Sequence, residues 1–169
     1  CSSDLLALAS SAASFAQPVP NPMDVVPEKM PNDIPYGAPM SLDRASQVLD
    51  AALAESKRRN WKLICAVVDP SGFLITMRRM DQAQIASIDI AIHKARVASK
   101  FRRETKALEN AIQNYPYIAT LDDVIASRGG IPIVDNGMLI GSIGCSGGTG
   151  SQDEVVDRKS TRLNSSHVK

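Results

Sequence analysis

Residues 85–101 repeat their apolar side chains at helical spacing on two sides, and this double periodicity limits what the rest of the chain can build. At about 100° per residue, Ile85, Ile88, Ile92, Ala95 and Ser99 share one stripe, while Ala86, Ile90, His93, Val97 and Phe101 share another on roughly the opposite side. A helix that is apolar on both sides needs cover on both. One stripe is expected to pack on a sheet, and the other, which holds His93, to meet a second chain, a further helix or a flat apolar ligand.

The sequence on either side of this helix supplies that sheet. Residues 63–68, LICAVV, are a continuous apolar run of strand length, and Asp69-Pro70-Ser71-Gly72 is a turn that returns the chain through a second strand at 73–77. Further on, 131–134 and 138–145 are two more strands joined by Asp135-Asn136-Gly137, a tight-turn signal. Ahead of the first hairpin, Ser41 is placed to cap a helix in which Leu42, Ala45, Leu49, Ala52 and Ser56 share a face, and Lys57-Arg58-Arg59 suit its negative end. Thr105 to Asn114 reads as a helix ended by Pro116, and 121–126 as a short helix. Ser151 and Glu154 have the spacing of a capping box, so a last helix starts there and is truncated once the apolar pattern stops after Val156. Two hairpins around a helical middle suit an α+β layer better than alternating βαβ units.

Both ends of the chain read differently from this core. Residues 1–16 look like the remnant of a secretory signal, closing on Ser14-Phe15-Ala16, which places the protein in the periplasm or outside the cell. Residues 17–40 carry seven prolines and read as an extended arm or linker. The domain itself is expected at 41–156. Residues 157–169, DRKSTRLNSSHVK, are polar without periodicity and read as a non-native tail.

Composition narrows the function. A formal charge of +1 over 169 residues argues against nucleic acid or an anionic membrane as the main partner, and no apolar run reaches the length of a membrane span. Cys1, Cys65 and Cys145 lack a C-x-x-C spacing, so neither a zinc site nor a thioredoxin-type pair is indicated. Cys65 and Cys145 read as buried free thiols that could meet if their strands pair. The glycine-rich loop at 146–151 has no P-loop lysine, although its N–H groups could hold a carboxylate or phosphate.

In order along the chain, AVVDPSG at 66–72, RRMD at 78–81, S-x-D-x-A-x-x-K-A at 87–95, F-x-x-x-T at 101–105, RGGIPI at 128–133, DNG at 135–137 and IGSIGCSG at 140–147 resemble the GlcG/HbpS-like haem-binding family, which is related to the C-terminal domain of PduO-type proteins. The resemblance covers roughly 41–154. It implies a five-stranded antiparallel sheet packed with helices, in the order α-β-β-α-α-β-β-β, assembly into a homo-oligomer, and haem binding in some members. The ligand-binding residues expected on this reading are His93 as the metal ligand, with Lys94, Arg79, Asp81, Val97, Ser146 and Gly147 around it. His93 is the one imidazole within the domain, Met77 and Met80 offer thioethers near the start of its helix, and Lys94 and Arg96 would meet propionates. Relatives often carry Thr where Val97 stands, and some use an oxygen ligand from this helix. Two other functions stay open: an enzyme or accessory protein on a small organic acid, with an anion pocket from Asp81, Lys94 and the Ser146 loop, and a purely structural oligomerisation module.

Overall fold

The computed structural model describes residues 26–30 and 32–165, so the expected signal remnant and the first part of the proline-rich arm, up to residue 25, lie outside it. Every element named below belongs to the compact unit that begins at Pro31. Helix α1 spans Leu42–Arg58, and its first turn is capped by the Ser41 hydroxyl, which accepts from the Arg44 N–H at 3.3 Å. Its last turn closes on Asn60, whose left-handed φ of 55° lets the Trp61 N–H reach back to the Ser56 carbonyl at 2.9 Å. Ala45, Leu49, Ala52 and Ser56 of the expected stripe are buried, whereas Leu42 is exposed.

Strand β1 (Ile64–Val68) is wholly buried, and the DPSG turn leads into β2 (Leu74–Arg79), paired antiparallel with it. β2 runs two residues further than the apolar pattern indicated, because Arg78 and Arg79 still pair with Cys65 and Ile64. The corner into the next helix therefore begins at Met80 rather than at Arg78.

Helix α2 (Ser87–Lys100) is followed by α3 (Thr105–Ile112). Pro116 opens a 3-10 turn, Pro116–Thr120, rather than marking only an end, since a proline at the first helical position gives up an N–H that would be unpaired anyway. The short helix expected at 121–126 does not form. Strands β3 (Gly130–Asp135) and β4 (Met138–Ser146) make the second hairpin around Asn136 and Gly137, both with positive φ as the tight turn demands.

The sheet order is β2-β1-β4-β3, antiparallel throughout, with β1 and β4 joining the two hairpins. It has four strands and not five, because after β4 the chain enters helix α4 (Gly150–Ser165) instead of another strand. Where β1 stops at the Val68–Ser142 pair, Tyr36 makes a single parallel bridge to Leu139. The Leu139 N–H donates to Pro35 O at 2.8 Å, and the Gly37 N–H to Leu139 O at 2.7 Å. Further along the arm, the Met40 N–H donates to Ile140 O at 3.1 Å.

α1 and α4 cover one face of the sheet, over a core that includes Val48, Leu49, Leu63, Val67, Ile143 and Val156. α2 covers the other, and here the expected stripes are rotated. A Cβ on Gly144 would lie 2.3 Å from Ala91 O and 2.4 Å from Ala95 N, so α2 lies directly on the β4 backbone. Only small side chains fit at that distance, and the buried face is Ser87, Ala91, Ala95 and Ala98. The isoleucines are turned to the flank: Ile88 and Ile92 pack half-buried beside Met77, and Ile85 is 71% exposed.

Candidate functional site

The residues expected to form one pocket lie in several places. His93 points away from the sheet, half-buried, and its Nε2 stands 3.1 Å from the carbonyl oxygen of Asp123. The Asp123 carboxylate pairs with Lys100, which holds it below the usual carboxylate range. Val97 is wholly buried. The second stripe of α2 is thus met at His93 by the chain's own non-helical segment after α3, which is none of the three partners expected for it.

Lys94 goes inward. Among the largest fully buried side chains, it carries its ammonium to Asp153 of α4 at 2.9 Å and to the Cys145 carbonyl at 3.3 Å. Glycine makes this route possible: a Cβ at Gly129 would sit 3.1 Å from Nζ and 2.8 Å from the Asp153 Cβ. Lys94 therefore joins the helix on one face of the sheet to a helix on the other, and it meets an aspartate where a ligand's acid group was expected. Burial pushes the Asp153 carboxyl up, and the charge of Lys94 and the hydrogen bonds from Lys94 and the Gly148 N–H oppose it.

Ser146 is buried at the end of β4, and Gly147 lies against the backbone of Lys62 and Leu63. Two N–H groups of the glycine-rich loop are taken by side chains at the start of α4: Gly148 donates to Asp153 Oδ1 at 3.1 Å and Thr149 to Gln152 Oε1 at 2.8 Å. Gln152 N returns a bond to Thr149 Oγ1 at 3.4 Å, so the capping box is Thr149 with Gln152, not Ser151 with Glu154. The anion pocket expected from Asp81, Lys94 and the Ser146 loop is not assembled. Arg79 and Asp81 do meet, with Leu53, Lys57, Lys62 and Met80, around an open cleft of about 370 Å³ that His93 does not line.

Cys65 and Cys145 are not free thiols. They are directly opposed on β1 and β4, their Cα atoms are 4.1 Å apart, and they form a disulfide with no exposed surface. Asp157 lies close enough to complete a three-ligand cluster, but the two sulfurs are bonded to each other and offer no thiolate. α4 does not stop after Val156: Asp157 and Ser160 are buried on it. Neither Asp157 carboxyl oxygen has a hydrogen-bond partner, and burial, aided by the charge of Asp153, raises its pKa well above 3.8.

A carboxyl with a raised native pKa keeps its proton where the unfolded chain has lost its own. Its contribution is fullest below pH 3.8 and declines as the pH climbs towards the elevated native value. Asp157→Ala is expected to flatten part of that decline and to gain about 1–3 kcal/mol at pH 8. Thermal melts of both proteins from pH 4 to pH 8 check this, and identical slopes would show that Asp157 is not the titrating group.

Sequence reasoning missed a second cleft, of about 540 Å³, in which Arg102, Arg103 and Lys106 stand over Ile34, Ile131 and Val134. The adjacent arginines after the last turn of α2 were the available signal. Their partners, an arm residue and an edge strand, are far off in sequence.

Residues 40–161 match the family profile described as haem degrading protein HbpS-like. Protein GlcG of Escherichia coli K12 is 36% identical over 108 residues, covering 63% of this chain and 81% of that protein. The crystal structure of Klebsiella pneumoniae protein ORFY superposes with a TM-score of 0.72 at 28% identity, covering 82% of this chain and 99% of that one. The PduOC:heme complex shares the fold, with a TM-score of 0.68 at 24% identity, over 74% of this chain and 94% of that one. With most of the four-stranded domain inside the matched span, the chain belongs to the HbpS-like family.

Proposed function

We propose that the protein binds haem or a similar planar ligand at a boundary between copies of its own chain, in an oxidising compartment outside the cytoplasm. The family match carries this reading. His93 suits the role of iron ligand: it is half-buried, Ile90 lies one turn before it and Arg96 one turn after, and its Nδ1 is not used by the Asp123 contact. It lines neither of the two clefts described above, which favours a second wall from another chain. The exposed Ile85 beside half-buried Ile88 and Ile92 supports self-association. The buried Cys65–Cys145 disulfide supports export, since such bonds persist mainly where the surroundings are oxidising. Among the described residues no helix is long and apolar enough to cross a membrane.

Titration of the purified protein with hemin is expected to shift the Soret band to a saturating end point, with His93→Ala weakening binding or changing the band position. No shift would remove the haem reading. The same shift and affinity in His93→Ala would remove His93 from it. Light scattering on the same samples is expected to show an oligomer, and a monomer with haem bound would remove the shared boundary.

A further inference from the structure

We propose that the 540 Å³ cleft is a second binding site, for a small carboxylate with a compact apolar body. The cleft lies between the arm, the α2–α3 connection, the first turns of α3 and the edge strand β3. Its size is that of ordinary small-ligand sites. His93 is not among its lining residues, so the inference does not depend on the haem reading.

Two features of the chain set the arginines there. α2 ends with Phe101 as its cap, and the next two residues close it: the Arg102 N–H reaches Ser99 O and the Arg103 N–H reaches Ala98 O, both at 3.2 Å. This closing turn puts Arg102 at a φ of 52°, a position that glycine usually takes because a side chain there is strained. The chain carries an arginine at that costly position, and its side chain goes to the arm. Arg102 Nη1 donates to Ile34 O at 3.1 Å, and the guanidinium lies 5.3 Å from the centre of the Tyr36 ring.

Both guanidiniums are held by neutral groups. Arg103 Nε donates to Phe101 O at 3.3 Å, and Asn32, with its amide oxygen turned to it, accepts from Arg103 Nη2 at 3.0 Å. Among the described residues no carboxylate pairs with either arginine. The acid and the third cation at the rim are committed elsewhere: Glu104 to Arg158, and Lys106 to Glu154. Two positioned guanidiniums with N–H donors to spare, above a floor of Ile34, Ile131 and Val134, suit a planar carboxylate that arginine can grip through two oxygens. The nearby Glu104 charge and the apolar floor disfavour a free inorganic dianion.

Benzoate, its uncharged isostere benzamide and inorganic phosphate distinguish these terms when each is titrated into isotopically labelled protein and followed by amide chemical shifts. Benzoate is expected to move resonances at 32–34, 102–110 and 131–134 in a saturable way, while benzamide and phosphate at the same concentrations move them little. Arg103→Gln is expected to weaken benzoate about tenfold or more, the loss of one charge-assisted contact. His93→Ala is expected to leave benzoate binding unchanged, so failure here and failure of the haem reading are separable. The spectrum of each variant reports directly whether it is folded. Equal binding of benzamide, equal binding of phosphate, an unaltered affinity in folded Arg103→Gln, or shifts confined to residues outside these segments would each overturn the site.

Discussion

Replacing Lys94 with methionine is expected to cost about 3–5 kcal/mol of folding stability, because it leaves Asp153 charged and buried with its cation gone. Both side chains of the pair are only 2% exposed, so water cannot take the place of the lost ammonium. The Gly148 N–H remains as a partner for Asp153, but one backbone donor does not balance a buried charge. The loss should shrink in mild acid, where Asp153 in the variant takes up a proton. Removing both charges, in Lys94→Met with Asp153→Leu, is expected to recover most of the stability, since a buried ion pair is often no better than a well-packed apolar one. Urea denaturation of the three proteins at pH 7.5 and pH 5.5 measures this. A single variant that loses less than about 1 kcal/mol would mean that the ammonium is not buried against Asp153 in solution.

The second large effect concerns the bond between β1 and β4. Cys65 and Cys145 are 80 residues apart in sequence, and cross-linking a loop of that size removes enough freedom from the unfolded chain to stabilise the fold by about 4 kcal/mol on the chain-entropy account. The double variant Cys65→Ala, Cys145→Ala is expected to lose most of that. Because neither residue has exposed surface under α1 and α4, the folded protein should resist dithiothreitol until denaturant opens it. Thiol titration of unfolded, unreduced protein should find neither Cys65 nor Cys145 free. Two reactive thiols from these positions, or a double variant as stable as its parent, would show that the strands meet without being bonded.

These two devices also show where reading the sequence stops. The local elements were legible because their causes are local. Ser41 caps α1 through an atom three residues away, the DPSG and DNG turns need only their own dihedral angles, and the uninterrupted run of β1 announces a strand buried on both faces. The order of motifs was enough to identify the family, later matched over residues 40–161. What failed was orientation. The isoleucines of α2 form the stronger stripe, yet the small residues face the sheet, because Gly144 lets the helix backbone settle on β4 and leaves no room for larger side chains.

Lys94 reads as a partner for a ligand's acid group until Asp153 is placed against it. The cysteines become a disulfide only once β1 and β4 are in register. Arg102 and Arg103 become part of a cleft only when the arm and β3 arrive beside them. By itself, then, the sequence determined most of the helices, strands and turns, though not the missing helix at 121–126, the run of α4 past Val156 or the strand number, and which family the chain resembles, since hydrophobic period and backbone preference act over a few residues. The tertiary structure alone decided which side chains point inward, which charges are paired and where a ligand has room, since those depend on contacts between segments from about 30 to 80 residues apart whose distances no local pattern encodes.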